Sequence, residues 1–357
     1  MRRLTILVLL LVLFMGHALA SEDLFGTGAV ERALPREAAS LLEGRSPGEV
    51  GGFSESLKGL VRGAIRNSRG EVPAALLLTL KIMAVVILSA VLRGSAGELP
   101  NRAMGLAATL AVGAVCLDRI SGFFALASRT VDSVTAFSGF LFSALASATA
   151  ATGAVGTSTA LYGGTVLLCS LMTRGAEALL LPGISCYMAL SVADSALGDG
   201  SLKVAGDTVK QLMTSLLKLT VLAFTAYLSL SGVVSGSADS AAVKAAKLAI
   251  SSAVPVVGSM VADASETLLV SAGLIRSGLG IFGMLGVLAV CAGPFFRTGI
   301  QYLMLKTAAA AAAIVGEKEL SSLISAMAGA MGLLAGLTGA CGVILVVACV
   351  CFMQAGG

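Results

Sequence analysis

The chain has 357 residues, 57% of them hydrophobic and 12% charged, with a formal net charge of +4. A soluble domain carries about 25% charged residues, so a mean hydropathy of +0.95 excludes a water-soluble globule and makes lipid the solvent. The basic residues are scattered along the chain rather than gathered in one unit, which excludes a nucleic-acid footprint.

The chain opens MRRLTILVLLLVLFMGHALASED, with Arg2 and Arg3 ahead of an apolar run from Leu4 to Met15 and a small-x-small site at Ala18-Leu19-Ala20. This predicts a secretory signal peptide over 1–20; the alternative is an uncleaved first transmembrane helix. His17, the one histidine, lies inside that segment. The processed chain would then lack histidine, and with it Ser-His-Asp or Cys-His catalysis and histidine metal sites. The seven cysteines, from Cys116 to Cys351, all sit in apolar runs. They read as small buried hydrophobes rather than a disulfide framework.

Residues 21–73 form the next unit, an exported charged arm. Up to residue 52 it carries Pro35, Pro47 and several glycines and reads as loosely ordered, with one short helix over Arg36–Glu43. FSESLKGLVRGAIRNSRG follows. Phe53, Leu57, Leu60, Val61, Ala64 and Ile65 recur at helical spacing, with Lys58, Arg62, Arg66 and Arg69 on the opposite face. Such a basic amphipathic helix lies on anionic headgroups or packs on the protein's own exported surface.

Residues 74–357 form the polytopic domain. Apolar runs are expected over Ala74–Leu92, with Lys81 inside it, and over Ala103–Leu117, ended by Asp118-Arg119 as a bilayer boundary. A small-residue stretch precedes Leu161–Met172 and then Glu177–Val192, bent at Pro182. Leu212–Val234 is a further span with a charged lead-in, followed after a polar gap by Leu268–Ile275, Leu279–Phe296 with Pro294, Ile300–Val315 and Leu323–Phe352. The fold class is all-α: a polytopic helical membrane protein with about seven to nine spans or re-entrant helices. Small-residue stretches that each lead to a proline, Pro182 and Pro294, suggest an internal repeat at an offset of about 112 residues. Lysine and arginine are spread too evenly for the positive-inside rule to orient the chain.

The polar gap, SGVVSGSADSAAVKAAKLAISSAVPVVGSMVADASE, is the candidate passage or docking segment. On a helix Ser252, Ser259, Asp263 and Glu266 share a face, and Lys244 and Lys247 share another before Pro255. Ionisable groups at membrane depth face protein or water, and an interrupted backbone there must be buried or line a cavity. The segment is therefore a re-entrant or broken helix beside a polar passage, or an amphipathic hairpin resting on the membrane. Gly329, Gly332, Gly336 and Gly339 repeat at spacings of 3, 4 and 3, a stripe that lets another helix approach closely. The sequence contains no Walker loop, no CxxC pair and no metal-ligand cluster. It points to no catalytic, cofactor-binding or metal residue and to no cofactor; a two-aspartate intramembrane protease is the one enzymatic alternative that spacing leaves open.

Residues 228–302, from YLSLSGVVSGSADSAAVKAAKLAISSAVPVVGSMVADASETLLVSAGL to GIFGMLGVLAVCAGPFFRTGIQYL, resemble the stage III sporulation protein AE family. The layout of signal peptide, charged arm and many spans agrees. The resemblance implies a non-enzymatic membrane subunit of a secretion-like channel complex, made in the mother cell and seated in the outer forespore membrane. Implied partners are the other products of the same operon, including an ATPase and ring-forming proteins, and a forespore-side membrane protein, besides the lipid bilayer. The alternative from the residues alone is a self-contained secondary transporter, and a scaffold without a passage is a third reading.

Overall fold

A computed structural model describes residues 26–42, 53–95, 101–227 and 258–354, all-helical with short connections. The helices are α1 (Thr27–Arg32), α2 (Arg36–Leu41), α3 (Phe53–Ser68), α4 (Glu71–Ser95), α5 (Asn101–Ala151) and α6 (Val155–Gly175). A π-helical segment, Ala176–Leu180, joins α6 to α7 (Leu181–Leu197). Then come α8 (203–227), α9 (Gly258–Val315) and α10 (Lys318–Gln354).

Five helices among the described residues are long and apolar enough to cross a membrane: Glu71–Gly94, Arg119–Ala151, Val155–Leu197, Gly273–Val315 and Lys318–Gln354. Part of the expected count of seven to nine is lost because runs that read as separate are joined. Asp118-Arg119 lies inside the 51-residue α5, Leu161–Met172 runs into Glu177–Val192 through the π segment, and Leu279–Phe296 runs into Ile300–Val315. Each gap was marked by a charge or a proline, and the helix tolerates both. The Arg119 guanidinium meets Glu71 at 2.8 Å, so its charge is matched inside the protein. At Pro294 the missing backbone donor leaves α9 helical, and the Thr298 hydroxyl donates to the Pro294 carbonyl at 2.8 Å. Neighbouring groups of this kind are how helices in membranes absorb a proline. Of the span Leu212–Val234, the part after 227 lies outside the described residues, and α8 begins well before it.

Two long antiparallel hairpins make the core. In the first, α5 turns at Gly153 (φ 88°) into α6 and α7. Ser158 Oγ donates to Ala146 O at 2.7 Å, Thr135 and Thr173 share a hydroxyl bond at 2.7 Å, and Thr109 meets Ser195 at 3.2 Å. In the second, α9 turns at Gly316 (φ 96°) into α10. Only glycine takes such a left-handed φ without strain. Phe142 of α5 stacks on Phe352 of α10 with centroids 5.5 Å apart, which ties the hairpins together. At 58 residues, α9 is about 87 Å long, nearly three times the hydrocarbon thickness of a bilayer.

The described part of the arm is not loose. Val30, Leu34, Ala38 and Leu42 are buried in the same core as the long helices, and α2 and α3 both pack on α9.

Candidate functional site

Helix α4 supplies the clearest membrane geometry. Glu71, in its first turn, accepts from Arg119 of α5 at 2.8 Å and lies 3.8 Å from Arg297 of α9. Near its other end Arg93 reaches Glu317 and Glu319, both at 3.4 Å, at the start of α10. Glu71 and Arg93 on α4, and Glu317 and Glu319 at the start of α10, also complement the helix ends they occupy, anions at N-termini and a cation at a C-terminus. Glu71 and Arg93 are about 22 residues apart, or about 33 Å along the helix, which matches the hydrocarbon core of a bilayer. The two ion networks therefore bracket one membrane thickness.

The Arg93 network is the more enclosed. The Glu317 side chain is 4% exposed and accepts a bond from Ser89 Oγ at 3.3 Å. Ser195 Oγ of α7 donates to the Glu319 carbonyl at 3.3 Å and meets Thr109 of α5, so α4, α5, α7 and α10 meet at this one corner. On the other network, Arg119 also lies over the Phe123 ring at 5.6 Å. Among the described residues no group of three or more His, Cys, Asp or Glu is placed to hold a metal ion.

The basic helix is where the sequence placed it, and its faces are divided differently. Leu60 and Ala64 are buried, while Phe53, Val61 and Ile65 are exposed beside the equally exposed Lys58, Arg62, Arg66 and Arg69. The helix thus packs on α9 and presents a mixed apolar and basic surface outward.

Of the central segment, Lys244, Lys247, Ser252 and Pro255 lie outside the described residues. Ser259, Asp263 and Glu266 fall within the opening turns of α9, where the placement of side chains lies outside the described detail. The glycine stripe is inside the protein's own packing and splits between two neighbours. A Cβ at Gly329 would lie 2.9 Å from the Tyr187 hydroxyl and 3.3 Å from Lys210 Nζ, and one at Gly336 would lie 3.6 Å from Leu217. Gly332 faces Tyr302 at 3.3 Å and Gly339 faces Phe295 at 3.4 Å. One pair therefore admits α7 and α8, and the other admits α9.

A tighter glycine series went unread in the sequence: Gly280, Gly283 and Gly286 on α9. Added Cβ atoms at Gly283 and Gly286 would each come within 2.6 Å, of Leu141 and Phe137 respectively, and one at Gly280 would strike Met353. Their three-residue spacing was the available signal. Gln301 was missed as well; it is 1% exposed, and among the described residues neither of its amide atoms has a partner.

A family model described as stage III sporulation protein AE matches residues 46–356. Neither the curated proteins nor the solved structures give a match.

Proposed function

The chain belongs to the stage III sporulation protein AE family, and from that premise we propose that it is a non-enzymatic integral membrane subunit of a secretion-like channel complex linking mother cell and forespore. The family match over nearly the whole chain carries this reading, and five long apolar helices support a bilayer as its site. In this reading the subunit sits in the outer forespore membrane with residues 21–73 exported between the two membranes. It assembles with the other products of its operon, among them the ATPase and the ring-forming proteins, and with a forespore-side membrane partner. The segment from Lys244 to Glu266 is then a passage wall or a docking surface.

Deletion should leave vegetative growth normal and block sporulation late, and the tagged full-length protein should copurify with the operon partners. Copurification with none of them would overturn the assignment. Replacing Asp263 and Glu266 together by Ala should spare assembly and impair forespore development if they line a passage; normal sporulation in that variant would remove the passage.

The π-helical segment followed by Pro182, midway along the continuous helix Val155–Leu197, favours a second reading, a self-contained secondary transporter. π-bulges inside helices occur frequently at functional sites. Solute flux into liposomes containing this chain alone would support it, and the channel-subunit reading expects none.

A further inference from the structure

Helix α4 turns a broad apolar face outward, with Leu76, Leu77, Leu80, Ile87, Leu88 and Val91 exposed. On the flank of that face, beside Leu77 and Leu88, stands one charge, the exposed Lys81, nearly midway along the helix between the two ion networks that bracket it. A lysine facing lipid at that depth is expensive, and intramembrane charges pair or face protein. Among the described residues Lys81 has no ion-pair partner within 4.0 Å.

Its complement lies on the opposite edge of the same molecule. Helix α4 packs on α5 and α9. Helix α8 lies beyond α7 and α10, touching Gly183 through Met213, Gly329 through Lys210 and Gly336 through Leu217. The outward face of α8 carries Val204, Leu212, Leu219 and Leu222 with the exposed Lys218 beside them, and the exposed Asp207 stands on its flank. Asp207 likewise has no ion-pair partner within 4.0 Å among the described residues. Lys203 and Lys210 flank it on α8, and Lys210 is turned inward over the Tyr187 ring at 5.8 Å.

The contacts also set depth. Glu71 beside Arg297 and Arg93 beside Glu317 hold α4 parallel to the second half of α9, which puts Lys81 level with Lys306. Lys306 donates to Ser325 of α10 at 3.0 Å. Helix α8 runs parallel to α10 with Lys210 beside Gly329, which puts Asp207 within about one helical turn of the Ser325 level. Lys81 and Asp207 thus lie at the same depth on opposite edges.

We propose that the chain associates with a second copy of itself head to tail, the α4 edge of one copy against the α8 edge of the next, with Lys81 paired to Asp207 across the contact. Rotation about an axis along the membrane normal preserves depth, so two edges matched in depth can meet repeatedly and close a ring. A symmetric α4-to-α4 contact is disfavoured because it sets lysine against lysine.

The test uses full-length chains in their membrane, with the seven native cysteines replaced. One tagged chain carries Lys81→Cys and a differently tagged chain carries Asp207→Cys, coexpressed and treated with a short bifunctional thiol cross-linker. The expected result is a heterodimer containing both tags and absent when either chain is expressed alone. No mixed-tag product, or linking of position 81 only to a different protein, would overturn the proposal. In the native-cysteine protein, Lys81→Asp or Asp207→Lys alone should reduce the oligomer to monomer on native gels, and coexpression of the two variants should restore it. Failure of restoration, with both variants at wild-type abundance, overturns the charge pairing.

Discussion

Arg93 Nη2 lies 3.4 Å from Glu317 Oε2, joining the last turns of α4 to the residue immediately before α10. The carboxylate is almost wholly enclosed, at 4% exposure, while the guanidinium is 27% exposed. The enclosed partner carries the energetic consequence, because a buried charge left alone costs more than the pair contributes.

Arg93→Ala should therefore destabilise the protein by about 3–5 kcal/mol, read as a fall in thermal midpoint in detergent or nanodiscs. Arg93→Met combined with Glu317→Leu should recover most of that loss, since an apolar pair of similar volume replaces a desolvated ionic one. A double variant as unstable as the single one would show that the corner depends on charge rather than on packing.

Glu71→Gln should cost less, about 1–2 kcal/mol. Its carboxylate and the two arginines facing it are each about a quarter to a third exposed, so water screens what the pair loses. The remaining strain is Arg119 and Arg297 left together without an anion. The same thermal assay, run at low and high salt, should show the difference shrinking as salt rises.

The glycines should rank by the space that each one lacks. Gly283→Leu and Gly286→Leu drive side chains into Leu141 and Phe137, where even a Cβ would come within 2.6 Å. Both should lower membrane abundance severely, because overpacking forces backbone shifts. Gly332→Leu should be damaging too, against Tyr302, whereas Gly336→Ala meets Leu217 at an ordinary 3.6 Å and should be tolerated. Quantitative immunoblotting of the membrane fraction checks the order.

Gln301→Met should be neutral or stabilising, by up to about 1–3 kcal/mol. The native amide is buried with neither atom hydrogen-bonded among the described residues, and methionine fills a similar volume without a polar group to satisfy. A clear loss of stability would reveal a buried partner for the amide, such as an ordered water.

Replacing Lys58, Arg62, Arg66 and Arg69 by Ala should weaken the binding of a 53–69 peptide to anionic vesicles by about 4 kcal/mol, at about 1 kcal/mol for each basic residue. Vesicle cosedimentation measures it. Equal binding to neutral and anionic vesicles would show that the apolar residues Phe53, Val61 and Ile65 act without the charges.

The all-helical class and the membrane environment were legible in composition and periodicity, because hydropathy averaged over a span needs no knowledge of neighbours. The bounds of α3 were legible for the same reason: its basic and apolar residues repeat within one short window. The number of elements was not. Arg119 and Pro294 read as ends, since a charge or a proline in lipid is costly when considered alone. Glu71, 48 residues away from Arg119 in sequence, matches that charge and lets α5 run on.

The candidate site divides along the same line. The α10 glycine stripe could be read as a packing face from spacing alone, but not that Gly329 and Gly336 admit α8 while Gly332 and Gly339 admit α9. The depth match of Lys81 with Asp207 has no trace in the sequence, because it arises from three successive helix contacts. Composition and local pattern determined the solvent, the helical class and the basic face of α3. Only the tertiary structure decided which charges are matched, where helices continue and which edges remain to be covered, because each of those depends on what a distant residue brings within a few ångströms.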